Sequence, residues 1–392
     1  MSLKSLLAGS VLGVALAGCG GAQQPLGAPG GTMPQTTATS QYRVIYSFGG
    51  KPDGAKPRAG LLSIHGKLYG TTAEAGANNA GTAFSLSTSG AEKVLHSFGG
   101  GSGDGKAPFA GLTHIKDTLY GTTQYGGANG FGAVFTIKES GEDETVIHSF
   151  GNGDGTNPVA ALIRVGGPLY GTTEDGGTGD TGAIFSITPS GTESVLHSFG
   201  GSGDGVYPYG SLVDVGGVLY GTTRNGGSVG NGTVFAIRKS GSHETVIHSF
   251  KGGGTDGKLP LSGLVNVGGV LYGTTYIGGA SDDGTVFAVT PSGTESLVYS
   301  FKGSPDGIRP SAGLTNVGGT LYGTTNQGGA NSLGTLFAIT PSGAESVIHS
   351  FGATAQDGAT PLAGLINVNG TLYGTTSAGG ANGVGTVFSL TP

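Results

Sequence analysis

The chain has 392 residues, 84 of them Gly and 17 Pro, and a formal net charge of −6. Only 11% of residues are charged, too few for a long charged helix or a highly charged disordered tail. The 18 Lys and Arg residues are spread along the chain, so there is no basic face for nucleic acid, and one Cys excludes intrachain disulfides and cysteine metal clusters.

Residues 1–18 carry one charge, Lys4, and then an apolar stretch from Leu6 to Ala17. This is the length of a signal peptide and too short to span a bilayer as a helix. The stretch ends in Leu16-Ala17-Gly18-Cys19, with the only thiol of the chain at its end. That string resembles the lipobox of bacterial lipoproteins. The resemblance implies cleavage before Cys19, lipid on its sulfur and acylation of the new amino group. Gly20, where an Asp is absent, implies sorting to the outer membrane by the same resemblance. Each buried acyl methylene contributes ~0.8 kcal/mol, and two or more chains anchor stably. Residues 20–40 are rich in Gly, Pro, Gln and Thr without apolar periodicity, and are expected to form a flexible tether. The expected organisation is therefore a lipoprotein signal peptide over 1–18, a lipidated Cys and tether over 19–40, and a folded domain over 41–392.

The folded part repeats itself. Leu-Tyr-Gly-Thr-Thr occurs seven times, with its Tyr at Tyr69, Tyr120, Tyr170, Tyr220, Tyr272, Tyr322 and Tyr373. A period of about 50 residues points to a propeller or an array. Each unit divides into four β-prone segments, called A to D here. In the fifth unit they are Ser262–Val267, Val270–Thr275, Gly284–Thr290 and Glu295–Phe301. Gly268-Gly269 supplies a two-residue hairpin between A and B. A segment of D type, Arg43–Phe48, precedes the first A, and the chain stops just after the seventh C. This phase predicts an all-β, seven-bladed propeller of four-stranded blades, closed by the N-terminal strand completing the last blade. Closure would also protect sheet edges. Small residues open segment A in every repeat, for example Ala59-Gly60 and Ala110-Gly111, while segment D ends in Phe. Segment A is therefore placed at the axis and D at the rim.

The unit DGxxPxAGLxxVGGxLYGTTxxGGANGxGTVF resembles the GloVer tandem repeat of "choice-of-anchor" bacterial exported proteins. It also looks kelch-like in its strand order and glycine placement, though the kelch tryptophan is missing. The resemblance covers Asp53 to Pro392 and implies an exported, surface-attached protein. It implies no particular activity.

Strand polarity places the B–C and D–A loops on one face, where the copies differ most. The residues after Gly-Thr-Thr change from blade to blade: Ala73, Gln124-Tyr125, Glu174-Asp175, Arg224-Asn225, Tyr276, Asn326 and Ser377. Residues around the loop proline change too, among them Arg58, Phe109, Tyr207, Tyr209 and Arg309. Aromatic faces beside polar groups suit sugars or peptides. The candidate ligand-binding residues are Tyr125, Glu174, Asp175, Tyr207, Tyr209, Arg224 and Tyr276, with Cys19 for lipidation. The recurring Asp-Gly pairs read as turns, each with too few oxygens for Ca²⁺, and the recurring His of segment D reads as packing. No catalytic motif appears in a suitable context, and no cofactor or metal is expected.

The expectation is thus a monomeric, lipid-anchored binding or scaffold module of the cell envelope. Its partners would be the membrane, through Cys19, and a glycan or protein ligand, with no nucleic acid. The alternatives are a propeller lyase or hydrolase using Glu174 and Asp175, and a purely structural envelope protein.

Overall fold

Segments B and C pair in every repeat, and the sequence dictates how. In the first blade Gly70 faces the ring of Phe84, and a Cβ at Gly70 would lie 2.7 Å from Phe84 Cζ. The central Gly of Leu-Tyr-Gly-Thr-Thr is therefore the seat of the Phe on the neighbouring strand. The flanking Leu68 and Tyr69 are buried. The computed structural model describes residues 41–392 apart from residue 152, and every regular element in them is a strand. The expected signal peptide, Cys19 and tether lie outside the described residues.

The strands form seven antiparallel blade sheets of four strands each, the fourth gaining Gly205–Pro208 as a fifth strand, and short two-stranded pairs in the loops. In the fifth blade the order is Val265–Val267, Val270–Thr275, Thr285–Val289 and Glu295–Ser300. The seventh sheet runs Ile366–Val368, Thr371–Thr376, Thr386–Thr391 and then Gln41–Ser47. The N-terminal strand completes the last blade, with Gln41 opposite Thr391 and Val44 opposite Phe388. Ring closure by a shared blade is thus as the repeat phase required.

The A strands are innermost, and their openings nearly touch. A Cβ at Gly60 would stand 3.3 Å from Gly364 O, and one at Gly364 the same distance from Gly313 O. Small residues are required because seven backbones converge there. The strands are shorter than the A segments, since Ser262 to Leu264 turn toward the axis before the ladder begins.

Segment D is outermost in each sheet, but its Phe is not at the surface. Phe98 packs edge-to-face on Phe135 of the next blade at 4.8 Å, and Phe48 does the same to Phe84 at 5.2 Å. An equivalent pair fills each of the seven seams. Bulk therefore marks the seam between blades and not the rim. Nearer the axis, the first Thr of the motif ties adjacent blades: Thr71 Oγ1 donates to Ala110 O at 3.0 Å, and Thr375 to Ala59 O at 3.1 Å. Thr172 Oγ1 has no such partner, and Ser211 Oγ instead accepts from Ala161 N across that seam.

The Asp of each Asp-Gly pair holds the outer end of a seam. Asp204 Oδ1 accepts from Gly205 N at 2.6 Å, and its Oδ2 from Gly200 N and from His197 Nε2 at 3.0 Å. Where the His is replaced, Tyr46 and Tyr299 donate their hydroxyls to Asp53 and Asp306, both at 2.9 Å. The His is thus a hydrogen-bonded packing element, and the Asp-Gly pair a turn, as their repetition suggested.

Candidate functional site

The D–A and B–C loops are stitched together on one face. Gly54–Ala55 pairs with Glu74–Ala75, and Gly205–Pro208 runs against the extended end of strand Val218–Gly226. The residue before each loop proline has a left-handed backbone: Lys56, Ala107, Asn157, Tyr207, Leu259, Arg309 and Thr360 lie at φ between 53° and 59°. None is Gly, and a following proline ordinarily favours extended backbone. Hydrogen bonds to the preceding blade hold this strained conformation; Tyr207 N donates to Thr181 O and Arg309 N to Asp283 O, both at 2.8 Å. The bend carries the residue after the proline to the mouth of the central channel.

That register forms a ring: Arg58, Phe109, Val159, Tyr209, Leu261, Ser311 and Leu362. With Tyr276, Asn326 and the openings of the A strands, it encloses a half-open cavity of about 530 Å³. The volume lies within the range of small-molecule sites. Arg58 stacks its guanidinium 4.7 Å from the centre of the Phe109 ring, and Arg309 stacks 5.5 Å from that of Tyr276. Burial pushes the Tyr209 phenol up, and Glu174 adds to the effect while Arg58 and Arg224 oppose it. Three polar atoms of lining residues are out of water and bonded to nothing among the described residues: Arg58 Nε, Ser311 Oγ and Asn326 Oδ1.

The seven expected ligand residues divide. Tyr209 and Tyr276 line the cavity. Glu174 and Arg224 stand behind Tyr209 as an ion pair at 3.4 Å. Burial raises the Glu174 carboxyl, with Asp175 adding and Arg224 opposing. Tyr125 is 47% exposed and lies outside the lining. Asp175 accepts from Asn157 Nδ2 at 2.9 Å and so secures a loop. Tyr207 contributes its bent backbone to the site, and its side chain is not part of the lining. Arg58, Phe109 and Asn326 vary from blade to blade but are not among the residues expected to bind, and neither is Ser311. The signal that would have found three of these four was register, since Arg58, Phe109 and Ser311 each follow a loop proline.

A second set of groups gathers at the seams. His96, Asp104 and Glu144 lie within 4.8 Å of one another, and three further seams repeat the set. The donor types would suit a divalent cation. The hydroxyls of Tyr46 and Tyr299 make the same bond to Asp as the histidines do, however. The position therefore calls for a hydrogen-bond donor, and the set is accounted for as a polar clasp between blades.

Solved propellers share the architecture. An oligogalacturonate lyase in complex with manganese matches at 11% identity and a TM-score of 0.50, over 83% of this chain and 86% of that one. PorZ, a surface component of the type-IX secretion system of Porphyromonas gingivalis, matches at 16% identity and a TM-score of 0.53, over 84% of this chain and 46% of PorZ. A putative 6-phosphogluconolactonase from Bacteroides uniformis matches at 16% identity and a TM-score of 0.46, over 78% and 87% of the two chains. At these identities the likeness is one of fold alone. None of the curated proteins matches the chain in sequence. The family model of the Gloeobacter/Verrucomicrobia repeat matches residues 8–235 and 210–392, and the chain belongs to that family.

Proposed function

We propose that this protein is a lipid-anchored β-propeller of the cell envelope that binds a glycan or protein ligand at the mouth of its central channel. One observation carries the reading: the channel mouth opens into a cavity of about 530 Å³ with Arg58, Tyr209 and Tyr276 in its lining. The mouth is also where the repeat stops repeating. Seven equivalent positions hold six kinds of side chain of differing size and polarity, while the seams behind them are nearly uniform. The enzyme reading draws less support, because Glu174 is paired with Arg224 and Asp175 is held by Asn157.

The test is an array of neutral and acidic oligosaccharides, followed by titration of whichever is retained. Saturable binding is expected, and Tyr209→Ala and Tyr276→Ala should each weaken it about tenfold or more with the melting temperature retained. Unchanged affinity in both variants would remove the site assignment. The anchor is tested separately, by feeding cells an alkyne-bearing palmitate. Label that persists in Cys19→Ala would rule out lipid on that sulfur.

A further inference from the structure

Arg58 is the one charged residue lining the channel mouth. Three carboxylates of this face are committed elsewhere. Glu74 pairs with Lys56 at 2.9 Å, Glu174 with Arg224 at 3.4 Å, and Asp282 with Lys258 at 3.2 Å. Arg58 forms no ion pair among the described residues, and its Nε is out of water without an acceptor. A cation in such a half-enclosed position is poorly compensated, and an anion is its natural complement. Phe109 covers one face of the guanidinium and fixes its plane. The edge remains, and the parallel N–H bonds of a guanidinium edge match the two oxygens of a carboxylate.

Tyr209 and Tyr276 add aromatic surface of the sort that the faces of sugar rings pack on. We propose that the channel mouth receives a carboxylate-bearing sugar, a uronate, with its carboxylate on the free end of the Arg58 guanidinium and its ring against Tyr209 and Tyr276. This rests on the channel mouth being a ligand site and names what that site selects.

The experiment compares trigalacturonate, its neutral methyl ester and inorganic phosphate by calorimetric titration of the full chain. The acid should bind at least about tenfold more tightly than the ester, as expected for a charge-assisted pair. Arg58→Gln, checked for an unchanged melting temperature, should bring the acid down to the affinity of the ester. Tyr276→Ala should weaken acid and ester alike by several-fold. Equal binding of acid and ester overturns the uronate assignment and leaves the channel mouth standing as a neutral-ligand site. The assignment also fails if phosphate displaces the acid at equal concentration, because a bare anion would then suffice. Absence of binding by both sugars overturns it as well, and retention of some other glycan lost in Tyr209→Ala would still uphold the site.

Discussion

Tyr42 stands where the other six D strands begin with a glutamate: Glu92, Glu144, Glu193, Glu244, Glu295 and Glu345. Its hydroxyl donates to Asp357 Oδ1 at 2.6 Å. A permanent donor works in that place, which explains how a carboxyl group can sit beside the Asp of the neighbouring blade in the other seams. Each of the six glutamates has its Oε1 out of water and unpaired. Burial, with the facing Asp second, pushes Glu92, Glu193 and Glu345 up to about 7. Glu92 faces Asp53 and Tyr46; Glu193 faces Asp154 and His148; Glu345 faces Asp306, Tyr299 and Lys302. The folded chain holds these protons more tightly than the unfolded chain, whose glutamates titrate near ~4.3. Stability from these groups is complete below that value and is lost as pH rises to about 7. His96 and His197 add to the trend. Their burial opposes charging, but the bonds to Asp104 and Asp204 raise them overall. Asp104, Asp256 and Asp357 are lowered, and their opposite effect belongs to more acidic solutions. The urea midpoint should therefore fall between about pH 4.5 and pH 7.5. Changing Glu92, Glu193 and Glu345 together to Gln should flatten the curve and raise the midpoint at pH 8. A midpoint that climbs through this window would sink the argument. None of this was legible in the sequence, where a recurring Glu at the start of a strand is indistinguishable from a solvated charge.

At the scale of the element, the turn between strands C and D meets a β-bulge of the neighbouring blade. The pairing of Gln41–Ser47 slips between Val44 and Tyr46, which leaves Ile45 unmatched. Gly90 of the first blade lies against it, at φ 99°, and a Cβ there would come 2.7 Å from Ile45 O. Gly66, in an A–B turn at φ 77°, has nothing within 4 Å of the same atom. The two glycines therefore separate backbone strain from contact. Gly66→Ala should cost about 1–2 kcal/mol, the left-handed penalty alone. Gly90→Ala should cost about 1–3 kcal/mol beyond that, because the seam must yield. Equal melting temperatures for the two variants would show that the turn does not seal the seam. The strands themselves were readable from Val, Ile, Leu and Tyr alternating between glycine turns. The end of strand A was not, because Ser262 to Leu264 have the composition of the strand that follows them. What ends the pairing is crowding at the axis, a property of seven blades together and of no single repeat.

For the whole molecule, the count of segments predicted the ring and its closure, since a chain beginning with D and ending with C has only one economical way to pair all its strands. Which loop residues face the channel was less legible. Local composition singled out aromatic and charged pairs such as Tyr207 and Asp175, but position is decided by the left-handed residue before each proline, a conformation that Lys56, Ala107 or Tyr207 does not announce. In the seventh blade no turn links Thr391 to its cross-strand neighbour Gln41. Elsewhere the same gap is bridged by a short turn such as Pro291-Ser292-Gly293. The ring therefore has no privileged starting point. A circular permutant joining Pro392 to Gln41 through Ser-Gly, and cut open at Ser292, should give the same circular dichroism spectrum and melt within a few degrees of the parent. A permutant that fails to fold would mean that the order in which blades emerge matters as well as the ring they form.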